Sequence, residues 1–548
     1  MAKRSKFVPV DQPLLHPDHP RPKTRRDFIA QGFMAGTGVA LTSPFALISQ
    51  RVNALTITPP GGCSVGAAGN RKIPFIVFDL AGGANIAGSN VLIGQQGGQF
   101  DLLMTAGYNK QGLPGDQIPV ISNDPAVPNQ FVDEQFGLAF HSDSQMLRGM
   151  REKAGDLSTN DISALVNGAV IPARSQNDTG NNPHNPMYGI ANAGNESLGL
   201  GGAMGEVVGL IGSQNSDSGG NSMAPASQID LAFRPTKVDR PSDARGLVDL
   251  GGLLNLPGTA SEKVAVMEAM YRLSDSKMSA VSTGIGGTAP NGNGIGGIDD
   301  ATLRDAIRCA YAQSADLAER FSAGPDALDP VADTLINGPI FTNAELTGNG
   351  RDEREFQKTA AVMKLVIDGY AGAGTVTMGG YDYHTGDRTT GDDRDLRAGR
   401  CIGACLAYAQ ARNKPLMIYV VSDGSVFSNG MIDPAVGKGV WTGDSQQTAA
   451  AFFLVYNPAG RAVVNTTGSV SDPFMHQQLG WMQASGDVQT TSSPAANNVE
   501  ALVNMIILNY MALHDEVGLF ASKFPNHGLG PELERWIAFE NIVSNTIA

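Results

Sequence analysis

The sequence predicts an α/β protein with a mainly parallel central sheet flanked by helices. Continuous apolar runs, such as 72–80 and 415–422, are typical of strands that are buried on both faces. Helical periodicity separates these runs, for example over 396–410, and strands that alternate with helices favour parallel pairing. The chain has 548 residues and 67 glycines, so it is long enough to bury a large core and is rich in turns.

The predicted elements cover most of the chain. Strands are expected at 72–80, 162–171, 205–212, 374–378, 415–422 and 449–456. Helices are expected at 143–153, 260–281, 300–321, 353–370, 396–410 and 499–513, the last being too short and too interrupted by asparagine to cross a bilayer. Residues 213–300 break the alternation, and we interpret them as a loop-rich and helical insertion within one large domain, 55–548.

The charge of the chain excludes two classes of partner. Its formal net charge is −14. Residues 1–54 contain eight basic and three acidic residues, so the remainder carries a net charge of −19. Nucleic acids and anionic lipid surfaces are bound by basic faces, and we therefore expect neither as a partner of the main domain.

The N-terminal segment 1–54 has the features of an export leader. Paired arginines occur in 24–30, Thr-Arg-Arg-Asp-Phe-Ile-Ala, and the mildly apolar run 32–48 follows them. Small residues at 52–54 offer a cleavage point. The segment resembles a bacterial twin-arginine signal, which implies the twin-arginine export machinery as a partner and a periplasmic or secreted location reached in the folded state. A membrane anchor is the alternative, but the run is short and contains Pro44.

An aspartate and a histidine follow the predicted strand 374–378. Two glycines allow a sharp turn there, and Asp382 and His384 come next. Alternate side chains of an extended segment point the same way, so these two can face one point beyond a strand end, where α/β sheets usually bind ligands. A carboxylate with an imidazole is suited to metal binding or to acid–base chemistry. The alternative is a surface turn in which the aspartate caps the next segment.

Other strand ends carry polar residues as well. Asp79 ends the first predicted strand, Ser422 and Asp423 end the strand 415–422, and Asp444 precedes the strand 449–456. The loop 175–188 carries His184, which is either a functional residue or part of an ordinary surface loop. Further candidates are the hydroxyl groups of Ser89 and Ser425, as nucleophiles, and the imidazole of His527, as a metal ligand.

Three of these motifs together resemble a known family. The chain contains Leu80-Ala81-Gly82-Gly83 after an apolar strand, then Gly-Gly-Tyr-Asp-Tyr-His at 379–384, and later Ser422-Asp423-Gly424. Their order, with the leader, is similar to the bacterial exported proteins grouped as "domain of unknown function 1501". That resemblance implies a fold like that of alkaline phosphatases and sulfatases, with metal ligands at the strand ends.

The resemblance implies a set of site residues. It assigns one or two divalent metal ions (Zn, Ca or Mg) to Asp79, Asp382, His384 and Asp444, and catalytic roles to Ser422 and Asp423, on a small anionic ester substrate. The chain departs from the family pattern in three places. Ser445 stands where the family commonly has a histidine, no arginine follows Ser422-Asp423-Gly424, and Ala84-Asn85 replaces a common Asn-Asp pair.

Two functions follow from these observations. The missing ligands favour a degenerate member of the fold that serves as an envelope or secreted binding or assembly factor. The alternative is an active metal-dependent hydrolase of phosphate or sulfate esters, in which the metal polarises the ester and activates a serine or water nucleophile.

Overall fold

The structure is a computed structural model. The structure describes residues 72–124, 126–155, 162–177, 182–194, 208–230, 233–248, 260–279, 325–466 and 477–544. The predicted leader 1–54 and the predicted helix 300–321 lie outside these ranges. The chain forms two compact units, one built from 67–249 with 325–548 and the other from 1–66 with 250–324.

The first of these units contains an eight-stranded mixed sheet. Its strand order is β4-β12-β8-β1-β7-β5-β6, and β11 is an antiparallel addition to the end of β8. Apart from β11, the strands of this sheet all run in one direction except β12, which is antiparallel to both of its neighbours. The sheet strands are β1 (Phe75–Gly83), β4 (Val166–Pro172), β5 (Val208–Gly212), β6 (Thr236–Lys237), β7 (Ala371–Met378), β8 (Leu416–Phe427), β11 (Gly443–Ser445) and β12 (Ala450–Tyr456).

Two small ribbons, ten α-helices and four short 3₁₀-helices complete the described secondary structure. The ribbons pair β2 (Val132–Asp133) with β3 (Phe140–His141), and β9 (Ile432–Asp433) with β10 (Lys438–Gly439). The α-helices are α1 (Thr105–Lys110), α2 (Gln145–Ala154), α3 (Met187–Gly194), α4 (Pro241–Gly246), α5 (Ala260–Ser279), α6 (Asn343–Thr347), α7 (Arg351–Ile367), α8 (Thr389–Ala411), α9 (Val499–Ala512) and α10 (Val517–Lys523). Helix α5 belongs to the second compact unit.

Helices cover both faces of the sheet. On one face, every residue of α9 except Glu500 is buried, and the helix joins α3 and the side chains of Phe75 and Val77 in one hydrophobic core. On the other face, α7 packs closely on β7, since a Cβ atom at Gly374 would lie 2.5 Å from Val362 and 2.9 Å from Val366. Burial of both faces explains why the central strands are continuously apolar. The predicted α/β class with a mainly parallel central sheet is therefore confirmed.

The boundaries of two elements differ instructively from the predicted ones. Helix α8 begins at Thr389 although 387–394 is strongly charged, because the Asp387 carboxylate accepts the Thr390 N–H at 2.8 Å and caps the helix. Strand β8 continues beyond Ser422 to Phe427, and this extension provides the edge on which β11 pairs. Among the described helices, none combines the length and the apolar character that a membrane crossing requires.

Candidate metal centre

A tight turn after β7 presents the Asp-x-His motif. Gly380 has φ +89°, and Asp382 has φ +79°, a left-handed conformation that aspartate tolerates better than most residues. Tyr381 and Tyr383 are buried, whereas Asp382 and His384 are on the surface side. The alternation predicted from sequence is therefore present: the tyrosines anchor the segment and the aspartate and histidine share its outer face.

Contacts to neighbouring segments fix this turn. The Asp382 N–H donates to the Gly83 carbonyl at 2.9 Å, which joins the turn to the end of β1. The Tyr383 hydroxyl accepts the Asn85 N–H at 2.9 Å, and its ring packs against Trp441 with centroids 6.0 Å apart. The segment that carries Asp382 is thereby held between β1 and the loop that precedes β11.

Asp444 reaches the same place from a different part of the chain. It lies in β11 opposite Val426 of β8, so its position is set by the extension of β8 past the sheet. Before β11, the Gly386 N–H donates to the Trp441 carbonyl at 3.0 Å, and the Trp441 N–H donates to the Asp387 carbonyl at 3.2 Å. These two backbone bonds attach the β11 segment to the turn that carries the Asp-x-His motif.

The three side chains converge on one point. His384 Nε2 lies 2.9 Å from Asp382 Oδ1 and 3.1 Å from Asp444 Oδ1. One ligand atom from each residue lies within 4.8 Å of the other two, a spacing that suits the coordination of a single cation. The side chains of Asp382, His384 and Asp444 are 42%, 37% and 26% exposed, so a ligand can reach the centre from solvent. Two carboxylates and a neutral imidazole would balance the charge of a divalent metal ion.

Asp79, which was predicted as a further metal ligand, belongs to a separate buried cluster. It pairs with Asp423 through the Ser222 hydroxyl, which lies 2.7 Å from Asp79 Oδ1 and 2.9 Å from Asp423 Oδ1. The backbone N–H groups of Asn221 and Ser222 donate to Asp79 Oδ2 at 2.6 and 2.9 Å, and Thr377 Oγ1 donates to the same oxygen at 3.1 Å. Both oxygens of the Asp79 carboxylate are thus occupied by protein donors.

The electrostatics of this pair favour a shared proton. Burial raises the pKa of Asp79, and burial together with the neighbouring Asp79 charge raises the pKa of Asp423. The Ser222 hydroxyl has one proton and can donate to only one carboxylate at a time. A proton on one carboxyl group lets that group donate to Ser222 while Ser222 donates to the other, which satisfies both short contacts.

Ser422, predicted as a nucleophile, lies within the backbone where β1 and β8 separate. Its hydroxyl accepts the Ala84 N–H at 2.9 Å and is 2.8 Å from the Leu80 carbonyl and 2.7 Å from the Gly82 carbonyl. The residue is 4% exposed. This geometry supports a structural role, in which Ser422 satisfies backbone groups at the irregular end of the β1–β8 pairing.

The remaining candidates are distributed elsewhere. Ser89 donates to the Gln111 carbonyl at 2.7 Å, and Ser425 lies 3.0 Å from the Thr448 hydroxyl; both serines are buried. His184 is buried, which lowers its pKa to about 3 and keeps the ring neutral. His527 accepts the Leu529 N–H at 3.0 Å and is not one of the three converging residues.

Sequence reasoning missed the two residues that hold the buried carboxylates together. Asn221 and Ser222 lie in a Gly/Ser/Asn-rich stretch that was interpreted only as part of an insertion. The sequence feature that could have indicated them is the glycine before them, Gly220. A Cβ atom at Gly220 would lie 2.7 Å from Asp79 Oδ2. Glycine at that position lets the backbone approach the strand end closely enough for its amides to bind the carboxylate.

Comparisons with protein families, with curated proteins and with solved structures yield no match for this chain.

Proposed function

We propose that this protein binds one divalent cation through Asp382, His384 and Asp444 and serves as an exported, metal-containing binding or assembly factor. The observation that supports this function is the convergence of three side chains of metal-binding type from two separate segments. One helix and three strands, α8 and β8 to β10, separate Asp444 from the other two residues, so their meeting is a product of the fold.

The ligand types favour a transition-metal ion. One imidazole nitrogen with two carboxylate oxygens suits Zn²⁺ or a related ion, whereas Ca²⁺ and Mg²⁺ prefer sites made wholly of oxygen. Three protein ligands leave at least one coordination position open. An open position on the exposed side of the centre can accept a donor group from a ligand or from a partner protein.

The buried neighbours support a binding role over two-metal catalysis. Among the residues that the structure describes, Asp382, His384 and Asp444 form the group that could hold a metal ion. Asp79 and Asp423 are engaged by Ser222. A two-metal hydrolase needs a second set of ligands about 4 Å away, and the surroundings of these carboxylates do not support one.

Export by the twin-arginine route is part of the proposal. The paired arginines within 24–30 support it, and that route carries proteins that have already folded. A protein that folds before export can acquire its metal in the cytoplasm. The proposed location is periplasmic or extracellular.

A one-metal hydrolase of phosphate or sulfate esters is the second candidate. The exposure of all three metal-binding side chains favours it, because an ester group could reach the centre. A cation bound there would supply Lewis acidity and activate a water molecule. Ser422 would not act as the nucleophile in this version, since its hydroxyl is engaged by backbone groups.

Metal analysis and ester hydrolysis together test the two candidates. We expect about one metal ion per chain in the purified protein, and loss of that metal in Asp382→Ala and His384→Ala. Asp393→Asn, which removes one exposed carboxylate from α8, is the matched control and should retain the metal. Hydrolysis of p-nitrophenyl phosphate or sulfate that disappears with the metal would favour the hydrolase, and metal without hydrolysis would favour the binding factor. Unchanged metal content in both alanine variants would disprove the centre.

A further inference from the structure

A basic cavity of about 420 Å³ lies beside the turn that precedes the metal centre. Gly379 and Gly380 form part of its wall, and both are exposed. Its charged lining consists of four basic side chains and two acidic ones, namely Arg240, Arg351, Arg354, Lys358, Asp239 and Glu355. A local excess of positive charge stands out in a chain whose net charge is −14.

The two acidic residues of the cavity already have basic partners. Glu355 pairs with Lys358 at 2.9 Å, and Asp239 lies 3.7 Å from Lys237. Among the described residues, no carboxylate forms an ion pair with Arg240, Arg351 or Arg354. These three guanidinium groups can therefore bind an anion without first breaking an ion pair with a described carboxylate.

Arg394 adds a fourth guanidinium group behind Gly380. A Cβ atom at Gly380 would lie 2.9 Å from Arg351 Nη2 and 3.0 Å from Arg394 Nε, so both side chains approach this glycine closely. Arg394 Nε is buried and has no hydrogen-bond acceptor among the described residues. Burial and the neighbouring charges of Arg351 and Arg397 lower the pKa of Arg394. Arg394 does not line the cavity, and its Nη1 donates to the Thr390 carbonyl at 3.1 Å. An anion in the cavity would reduce the repulsion among these like charges.

Helix α7 carries Arg351 and Arg354 in its first turn, together with Asp352 and Glu353. A Cβ atom at the N-cap residue, Gly350, would overlap Glu353 Oε2, so this carboxylate already lies at the positive end of the helix. An anion in the cavity would therefore be bound by the guanidinium groups and not by the helix N-terminus.

We propose that this cavity binds the phosphate or sulfate group of a small molecule. Guanidinium groups suit a tetrahedral oxyanion because their paired N–H donors match two of its oxygens. The small volume of the cavity and the negative net charge of the whole chain favour a small ligand over a nucleic acid, which needs an extended basic face. The cavity shares no residue with the metal centre, so this inference does not depend on the proposed metal-binding function.

Calorimetric titration of the full chain tests the inference with inorganic phosphate, sulfate and pyrophosphate as probes. We expect saturable binding of at least one probe, weakened about tenfold or more in Arg351→Ala and in Arg354→Ala. Arg148→Ala is the matched control, since Arg148 is an exposed helical arginine paired with Glu152 on α2, and it should leave the affinity unchanged. Arg351→Lys should restore only part of the affinity, because an ammonium group cannot form the paired hydrogen bonds.

Several results would overturn the inference. They are the absence of binding for all three probes up to about 10 mM, equal affinity in the parent and both alanine variants, and tighter binding of a single-stranded oligonucleotide than of pyrophosphate. His384→Ala separates the two proposals. Loss of metal with anion binding retained would support both sites, whereas retained metal with retained anion binding would refute the metal centre alone.

Discussion

His384 Nε2 lies 3.1 Å from Asp444 Oδ1, although helix α8 and strands β8, β9 and β10 separate the two residues in the chain. This contact depends on the continuation of β8 beyond the sheet, which gives β11 an edge to pair with. Asp382 Oδ1 lies 2.9 Å from the same nitrogen. The candidate centre is therefore assembled from the ends of two neighbouring structural segments, and each segment can be tested separately.

Ser445→His tests whether a histidine after Asp444 would add a ligand. Neighbouring side chains of a strand point to opposite sides, and in β11 Asp444 faces His384. We therefore expect the new imidazole to point away from the centre and the metal content to stay at about one ion per chain. Quantitative metal analysis of the variant is the measurement, and a second equivalent of metal would contradict the account.

Gly82→Ala should disturb the metal centre although Gly82 is not one of the three metal-binding residues. Gly82 has φ +111°, and a Cβ atom there would lie 2.6 Å from the Tyr381 carbonyl carbon. We expect a loss of about 1–3 kcal/mol in the free energy of unfolding and at least a tenfold weaker metal affinity, because the turn must move. Gly430→Ala is the control, since Gly430 also has positive φ (+90°) but no neighbouring atom within 4 Å. Equal effects of the two substitutions on metal affinity would argue against the proposed coupling.

Ser222→Ala should destabilise the buried carboxylate pair. The substitution removes the hydroxyl that bridges Asp79 and Asp423, so both hydrogen bonds of the bridge are lost. A loss of about 1–3 kcal/mol is expected in the free energy of unfolding, measured by urea denaturation at pH 7. Ser522→Ala, at an exposed position on α10, should change stability by less than about 0.5 kcal/mol. If the Ser222→Ala protein is as stable as the parent, the Ser222 bridge contributes nothing to the free energy of unfolding.

The buried carboxyl group of Asp395 should make the stability of the protein depend on pH. Burial is the main cause that raises the pKa of this carboxyl group to about 7 in the folded protein, while its pKa in the unfolded chain is close to 3.8. The folded state therefore binds more protons between about pH 4 and pH 7, and stability should fall as the pH rises through this window. Above pH 7 the loss of free energy of unfolding that this group causes is complete, on the order of 4 kcal/mol.

Asp395→Asn should remove this contribution. Its amide oxygen can still accept the Asn90 side-chain N–H, which lies 2.8 Å from Asp395 Oδ2 in the parent. We expect the variant to gain stability relative to the parent at pH 8 and to show little difference at pH 4, in urea titrations at both pH values. Parallel stability curves for the two proteins across this range would rule out the expected titration of Asp395.

Local patterns were sufficient to predict the α/β class and the side on which Asp382 and His384 lie. Apolar runs and helical periodicity are properties of short windows, and the alternation of buried tyrosines with exposed Asp382 and His384 follows from backbone geometry. The export leader and the family resemblance stay predictions.

Contacts between distant segments could not be predicted in the same way. The carboxylates of Asp79 and Asp423 were predicted from their positions at strand ends, but their partners come from Asn221 and Ser222, in a stretch without apolar periodicity. The basic cavity likewise combines Arg240 with residues of α7. Nothing in the local sequence of either segment indicates the other, because side-chain charge alone does not determine which distant segments meet.

The most direct test of the metal centre is calorimetric titration of the chelator-treated full chain with Zn²⁺, for the parent and for Asp444→Ala. Asp444 is the informative position because it is far from Asp382 and His384 in the sequence and is brought next to them by the fold. The account predicts one high-affinity site per chain in the parent and at least a tenfold loss of affinity in Asp444→Ala, with Asp393→Asn unchanged. Absence of Zn²⁺ binding in the parent, or equal affinity in the parent and Asp444→Ala, would contradict it.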